Sequence, residues 1–230
     1  MNGTDRRVPW ALLAAFALLP GVQTLVAVYW QWHAPVTYPA LKAVMIAVPI
    51  VCWLALRRPR VEVFALTGLK RPNLAAGAAL GTAMAGVILA GYYLVLRGRL
   101  DPHPLVAKVR SLGLLDYYWA MAAVVCLWNA LFEEYYWRAF LVGEAMQHGL
   151  GLGALVALGG AFFGIHHVFA LAPLFAWPLV ASFTFGTMLA GATWTLMRCR
   201  GRSIWECYVG HILADAAIMW IGWDLIRQAR

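Results

Sequence analysis

Seven apolar runs, each long enough to cross a bilayer, dominate this sequence, and short basic clusters separate several of them. A helix needs about 20 mostly apolar residues to span the hydrocarbon core. Runs of that kind occupy residues 8–30, 38–56, 74–96, 117–147, 152–171, 174–196 and 203–226. Lipid offers the backbone no hydrogen bonds, so such runs must be helices, which satisfy their own polar groups. The expected fold is all-α, a polytopic transmembrane helix bundle of about seven spans (seven to eight). It forms a single integral-membrane domain over residues 1–230. Composition agrees: 63% of residues are hydrophobic and 12% charged, where soluble domains run about 45–50% apolar and about 25% charged. That balance excludes a water-soluble enzyme, a disordered chain and a disulfide scaffold.

The first run follows Arg6-Arg7 as a signal peptide would. It passes Pro20 without an A-x-A site, however, and reads as a retained first helix. Residues 59–73 are basic and mixed, and predict an interfacial stretch. Residues 97–115 contain Pro102 and Pro104 and then an amphipathic LVAKVRSLGLL, which predicts a loop and a short surface helix.

The net charge is +8, and the placement of the basic residues explains it. With the N-terminus inside, one face collects Arg6, Arg7, Arg57, Arg58, Arg60, Lys70, Arg71, Arg198, Arg200 and Arg202. The other collects Arg97, Arg99, Lys108, Arg110, Arg227 and Arg230. Ten against six favours a cytoplasmic N-terminus. The clusters fit topology and contact with membrane lipid, and no nucleic-acid partner is expected. Cys52, Cys126, Cys199 and Cys207 form no C-x-x-C pair and suggest neither a disulfide framework nor a thiolate zinc site.

Acidic groups inside a span cost about 2.5–3.5 kcal/mol each on insertion scales. Glu133, Glu134 and Asp215 bear that cost, in company with Arg138, His166, His167 and His211. Glu134 and Arg138 are four apart and share a helix face, so they can pair. Glu133 points about 100° away and is left to face a cavity. His166 and His167 diverge by the same angle, so one of them serves a given site. His211 and Asp215, again four apart, share a face. A buried ion pair and an Asp–His hydrogen bond that merely fix packing would explain each group separately.

Depth argues for a shared site. Counted from Gln147, Gly153 and Ser203, run ends that a cytoplasmic N-terminus puts on one side, Glu133 and His167 each lie about 21 Å deep, and His211 and Asp215 about 12 and 18 Å. A transporter or proton relay would spread such groups along a path; these converge in one layer. Two hydrolytic schemes fit the set. In one, Glu133 is general base to a water that His167 helps to hold, and His211 donates to the oxyanion. In the other, Glu133, His167, His211 and Asp215 ligate a metal that activates the water. The H-E-x-x-H, G-x-S-x-G and Walker patterns are absent.

The series Glu133-Glu134-Tyr-Tyr-Trp-Arg138, Phe163-Gly-Ile-His-His167 and His211-Ile-Leu-Ala-Asp215 resembles the CPBP intramembrane proteases. This is the CAAX-processing and bacteriocin-processing (ABI) family, with E-E-x-x-x-R, F-x-x-x-H and H-x-x-x-N on three late helices. The motif-bearing core runs over about 115–226. The resemblance implies a glutamate-dependent endopeptidase acting near the ends of membrane-associated proteins or peptides. It implies Glu133 as base, His167 as water-positioning group, and His211 with residue 215 as oxyanion stabilisers. Glu134 and Arg138 would support them. His166 has the same spacing from Phe162 and stays an alternative to His167. Asp215 departs from the usual Asn: it can donate a hydrogen bond only when protonated, orient His211, or ligate a metal. Metal-free chemistry is preferred to zinc. A non-catalytic immunity or scaffolding protein of the same family is the rival reading. The expected location is a bacterial inner (plasma) membrane.

Overall fold

The computed structural model describes residues 7–229; Arg6 and Arg230, counted in the charge balance above, lie outside the described residues. The chain is helical throughout, in the order α1 Trp10–Tyr29, α2 Ala34–Ala55, α3 Arg60–Thr67, α4 Leu74–Leu96 and α5 His103–Ser111. There follow α6 (118–146), α7 Leu152–Ile165, α8 His167–Leu171, α9 Trp177–Cys199 and α10 Ile204–Gln228. The short α3 and α5 occupy the two stretches read as interfacial. Among the described residues, six helical spans are long and apolar enough to cross a membrane: α1, α2, α4, α7 continued by α8, α9 and α10. The expected seventh, α6, is one unbroken helical stretch about 43 Å long. Its hydropathy is lowered by Glu133, Glu134, Arg138 and Glu144, all of them buried in protein and turned away from lipid. This is an integral, multi-pass membrane protein.

Several boundaries move by a few residues. α2 begins before Tyr38 because Pro35 sits in its first turn, where the missing N–H has no intrahelical partner to lose. α9 begins at Trp177 for the same reason, with Pro178 in its first turn. Backbone pairing widens to i→i+5 over Thr24–Tyr29, Tyr92–Leu96, Val125–Asn129 and Glu134–Val142. Such wide turns often mark functional sites, and two of the four flank Glu133.

Polar clasps gather the helix ends at two levels. At one level Glu144 accepts from Trp53 Nε1 at 3.0 Å and Arg58 at 2.7 Å, fastening α2 to α6. There too Ser203 and Glu206 form a capping box that starts α10, and Glu206 also accepts from the Asn73 backbone N–H at 3.1 Å. At the other level Asp224 accepts from Tyr92 at 2.7 Å and Arg97 at 2.9 Å. Asn73 with Glu206, and Tyr92 with Asp224, show that α4 and α10 run parallel. Between those ends they lie almost backbone to backbone: a Cβ on Gly81 would come within 2.7 Å of the Gly210 Cα. Trp10, Trp30, Trp32 and Trp220 are exposed, as interfacial anchors should be.

Three small residues of α7, Gly159, Gly160 and Gly164, face α9. A Cβ on Gly160 would fall 2.7 Å from the Met188 carbonyl, and one on Gly159 would meet Thr195, whereas Gly151 and Gly153 have open space. Close packing therefore locks α7 to α9, and the pair together presents the histidines to α6.

Candidate active site

Glu133, Glu134 and Arg138 on α6, His166 and His167 at the α7–α8 junction, and His211 and Asp215 on α10 meet in one buried cluster. Glu133, Glu134, Arg138, His166 and His211 are buried, and His167 and Asp215 half-buried. Glu134 and Arg138 have no exposed surface, while Glu133 retains 8% and His211 4%.

The predicted pair on α6 is present, with Arg138 Nη1 3.1 Å from Glu134 Oε1. Arg138 also donates to the Gly191 carbonyl at 3.2 Å, and its guanidinium lies 4.3 Å from the Phe163 ring centroid. A planar cation can hold a carboxylate, a carbonyl and an aromatic face at once, which a lysine could not. The result binds α6 to α9 through α7's phenylalanine.

His211 is fixed from two sides. Its ring stacks on Trp194 at 4.4 Å between centroids, and its Nδ1 lies 2.9 Å from Glu134 Oε1. A carboxylate only accepts, so Nδ1 carries the proton in that bond. The group that orients His211 is thus Glu134, where the sequence suggested Asp215. Nε2 points the other way, 3.7 Å from Glu133 Oε2 and 3.7 Å from Asp215 Oδ2. These distances exceed a direct hydrogen bond.

The junction at His166 is a break between α7 and α8. Thr24 of α1 donates to the His166 carbonyl at 2.9 Å. His166 is buried flat against Trp137, with ring centroids 5.8 Å apart and planes 11° apart. His167 is half-buried, and its Nδ1 lies 3.0 Å from the Phe163 carbonyl. That carbonyl can only accept, so Nδ1–H donates and Nε2 keeps its lone pair. Both imidazoles reach Glu133: one donor atom from each of Glu133, His166 and His167 can be chosen with all three within 4.8 Å of one another. Two imidazoles and a carboxylate are ligand types that suit zinc. This is a different donor set from Glu133, His167, His211 and Asp215: both histidines, where the sequence suggested one, stand near the same carboxylate.

Glu133 has a partner that the sequence reading missed. Asn129, one turn earlier, donates from Nδ2 to Glu133 Oε1 at 2.7 Å. Lys42 of α2 donates to Asn129 Oδ1 at 2.9 Å, with its ammonium 4.0 Å from the Phe132 ring centroid. The signal was available: Lys42 is a lone cation in an apolar run, which is as costly as a lone acid.

The sequence model of the Rce1-like family, described as type II CAAX prenyl endopeptidase Rce1-like, matches residues 115–217. That range starts just before α6 and ends just after Asp215, and so contains all three motifs. No curated protein and no solved structure matches the chain. The motif-bearing segment, residues 115–217, is thus similar to the Rce1-like family, and the match supports placing it with the CPBP proteins.

Proposed function

We propose that this protein is an intramembrane endopeptidase that hydrolyses a peptide bond near the terminus of a membrane-associated protein or peptide. One observation carries the reading: Glu134 fixes His211 through Nδ1, so that Nε2 faces Glu133 and Asp215 across 3.7 Å gaps. Gaps of that size suit a small reacting oxygen better than direct pairing.

In this mechanism a water donates one proton to Glu133 and another hydrogen bond to His167 Nε2. Its oxygen attacks the scissile carbonyl carbon, and the proton passes to Glu133. The carbonyl oxygen becomes an oxyanion that accepts from an Nε2–H of His211. Collapse breaks the C–N bond, and Glu133 returns its proton to the leaving amine. Asp215, as a carboxylate, would repel an oxyanion; its part is to favour, by its nearby charge, the doubly protonated His211 that holds Glu134 through Nδ1–H and offers Nε2–H to the oxyanion. Arg138 holds Glu134 in place. If an ion takes part, Glu133, His166 and His167 would hold it, and it would supply a Lewis acid for the water. The metal-free path is our preference: with Nδ1 donating to the Phe163 carbonyl, His167 can offer its Nε2 lone pair to a water beside Glu133.

The basic end of the bundle, where Arg58, Lys70 and Arg198 lie, is assigned to the cytoplasmic side of a bacterial inner membrane. The test compares membrane and secreted peptides from cells carrying wild type or Glu133→Gln. Termini found only with wild type establish proteolysis and name the substrate class. Identical peptide sets from two well-expressed proteins would favour an immunity or scaffolding role. Activity in purified liposomes should survive a zinc chelator; loss that zinc restores would move the mechanism to the metal.

A further inference from the structure

Lys42 lies outside the matched segment, on a helix that otherwise faces lipid, yet its ammonium ends one residue away from the proposed base. Lys42 Nζ donates to Asn129 Oδ1 at 2.9 Å, and Asn129 Nδ2 donates to Glu133 Oε1 at 2.7 Å. The amide can stand only one way round. Lysine has donors alone and a carboxylate acceptors alone, so a flipped amide would oppose N–H to N–H and oxygen to oxygen. The cation therefore selects the orientation in which Asn129 donates to Glu133. The Phe132 ring, 4.0 Å from Nζ, holds the ammonium from another side, as a ring face attracts a cation. A lysine placed only to reach the headgroups would extend along the helix to the interface; this one turns inward.

We propose that Lys42 and Asn129 are positioning residues for Glu133: Lys42 orients the Asn129 amide, and the amide holds Oε1 so that Oε2 is turned towards His211 and the reacting water. The proposal deepens the peptidase reading above and rests on it for its kinetic consequences. It also implies that α2 supplies a working part of the site, although the family match begins only at residue 115.

Two readouts test it, one of them independent of proteolysis. The first is the rate at which dicyclohexylcarbodiimide, an apolar carboxyl reagent, modifies Glu133 in the liposome-embedded protein, read by peptide mass spectrometry. A carboxylate held by Asn129 and Lys42 reacts slowly. Asn129→Leu and Lys42→Met should each raise that rate severalfold, and Lys42→Arg, which keeps charge and donors, should leave it near wild type. The second is cleavage of a peptide found in the wild-type but not the Glu133→Gln sample. Asn129→Leu should lower kcat by about tenfold or more, the scale of a lost hydrogen bond to a charged group. KM should stay within about twofold, because Asn129 touches the base and not the substrate. Lys42→Met should lower kcat less, and Lys42→Arg should restore it. The double variant Asn129→Leu/Lys42→Met should be no worse than Asn129→Leu alone, since the lysine acts through the amide. That double variant is apolar at both positions and guards against a fold lost to an unpaired ammonium. Unchanged carbodiimide labelling in Asn129→Leu and in the double variant overturns the proposal. Wild type that cuts nothing overturns the peptidase reading, while the labelling still decides the relay.

Discussion

The spans before the family match and those around it solve the bilayer problem differently. In α1, α2 and α4 the most apolar stretches are 22, 17 and 11% buried inside the protein; in α7 with α8, α9 and α10 the figures are 28, 28 and 33%. The early helices present leucine, valine and isoleucine to lipid, with salt bridges just past the ends of α2 and α4, Arg58 with Glu144 and Arg97 with Asp224, and α4 adds a narrow glycine face against α10. The later ones bury polar groups at mid-depth, where each needs a partner. A lipid-facing helix is constrained by hydropathy alone, whereas a site helix is constrained residue by residue. Lys42 is where the first kind of helix borrows the rule of the second.

The largest expected effect lies at the centre of the later region. Glu133→Gln should reduce cleavage by about a thousandfold, within the range for removing a general base. A variant that retains more than a tenth of wild-type turnover would move the base elsewhere. Arg138→Leu comes next, because it strands the buried Glu134 carboxylate; such losses run about 3–5 kcal/mol. Thermal unfolding in detergent should show it, and adding Glu134→Gln should recover a good part of the loss. A double variant no more stable than the single would mean that Arg138 matters for its aromatic and carbonyl contacts instead.

A contrast within one helix sharpens the comparison. Gly81 of α4 touches α10, while Gly86 of the same helix has open space around its Cα. Gly81→Leu should lower the unfolding temperature by several degrees, about 1–3 kcal/mol for overpacking. Gly86→Leu should leave it where it is. Equal effects would mean that the α4–α10 contact is not a tight one. Asp215→Asn tests the departure from the family pattern: turnover should stay within about threefold of wild type, since an amide can also hydrogen-bond His211 or the oxyanion. A hundredfold loss would show that the carboxylate itself is required. Val87→Ala, on the lipid face of α4 and 74% exposed, should change stability by no more than about 0.5 kcal/mol.

These differences also decide what the sequence could disclose. The lipid-facing spans were legible because their pattern is simple: length, apolarity and basic flanks. The site motifs were legible because acids and histidines are rare at that depth. Two things were not. The wide turns on either side of Glu133 depend on tertiary packing, and so does the approach of both histidines at the His166 break to one carboxylate. The partner of His211 was misjudged for a related reason. Spacing suggested Asp215 on its own helix, but Trp194 stacking turns the ring so that Nδ1 meets Glu134 of α6. Lys42 and Asn129 were overlooked although the cost of polar groups in lipid applied to them as well.

Glu133 and His211 lie on α6 and α10, and α10 is the last helix of the described chain. A ribosome adding roughly 5–20 residues per second passes Glu133 well before it reaches His211, an interval of roughly 4–16 s. On the mechanism proposed above, the nascent chain through that interval has a water-activating carboxylate but no imidazole to receive the oxyanion. Emerging beside other newly inserted proteins, it would stay silent until α10 docks. The order of helices along the chain would thus act as a built-in delay that guards its neighbours during insertion.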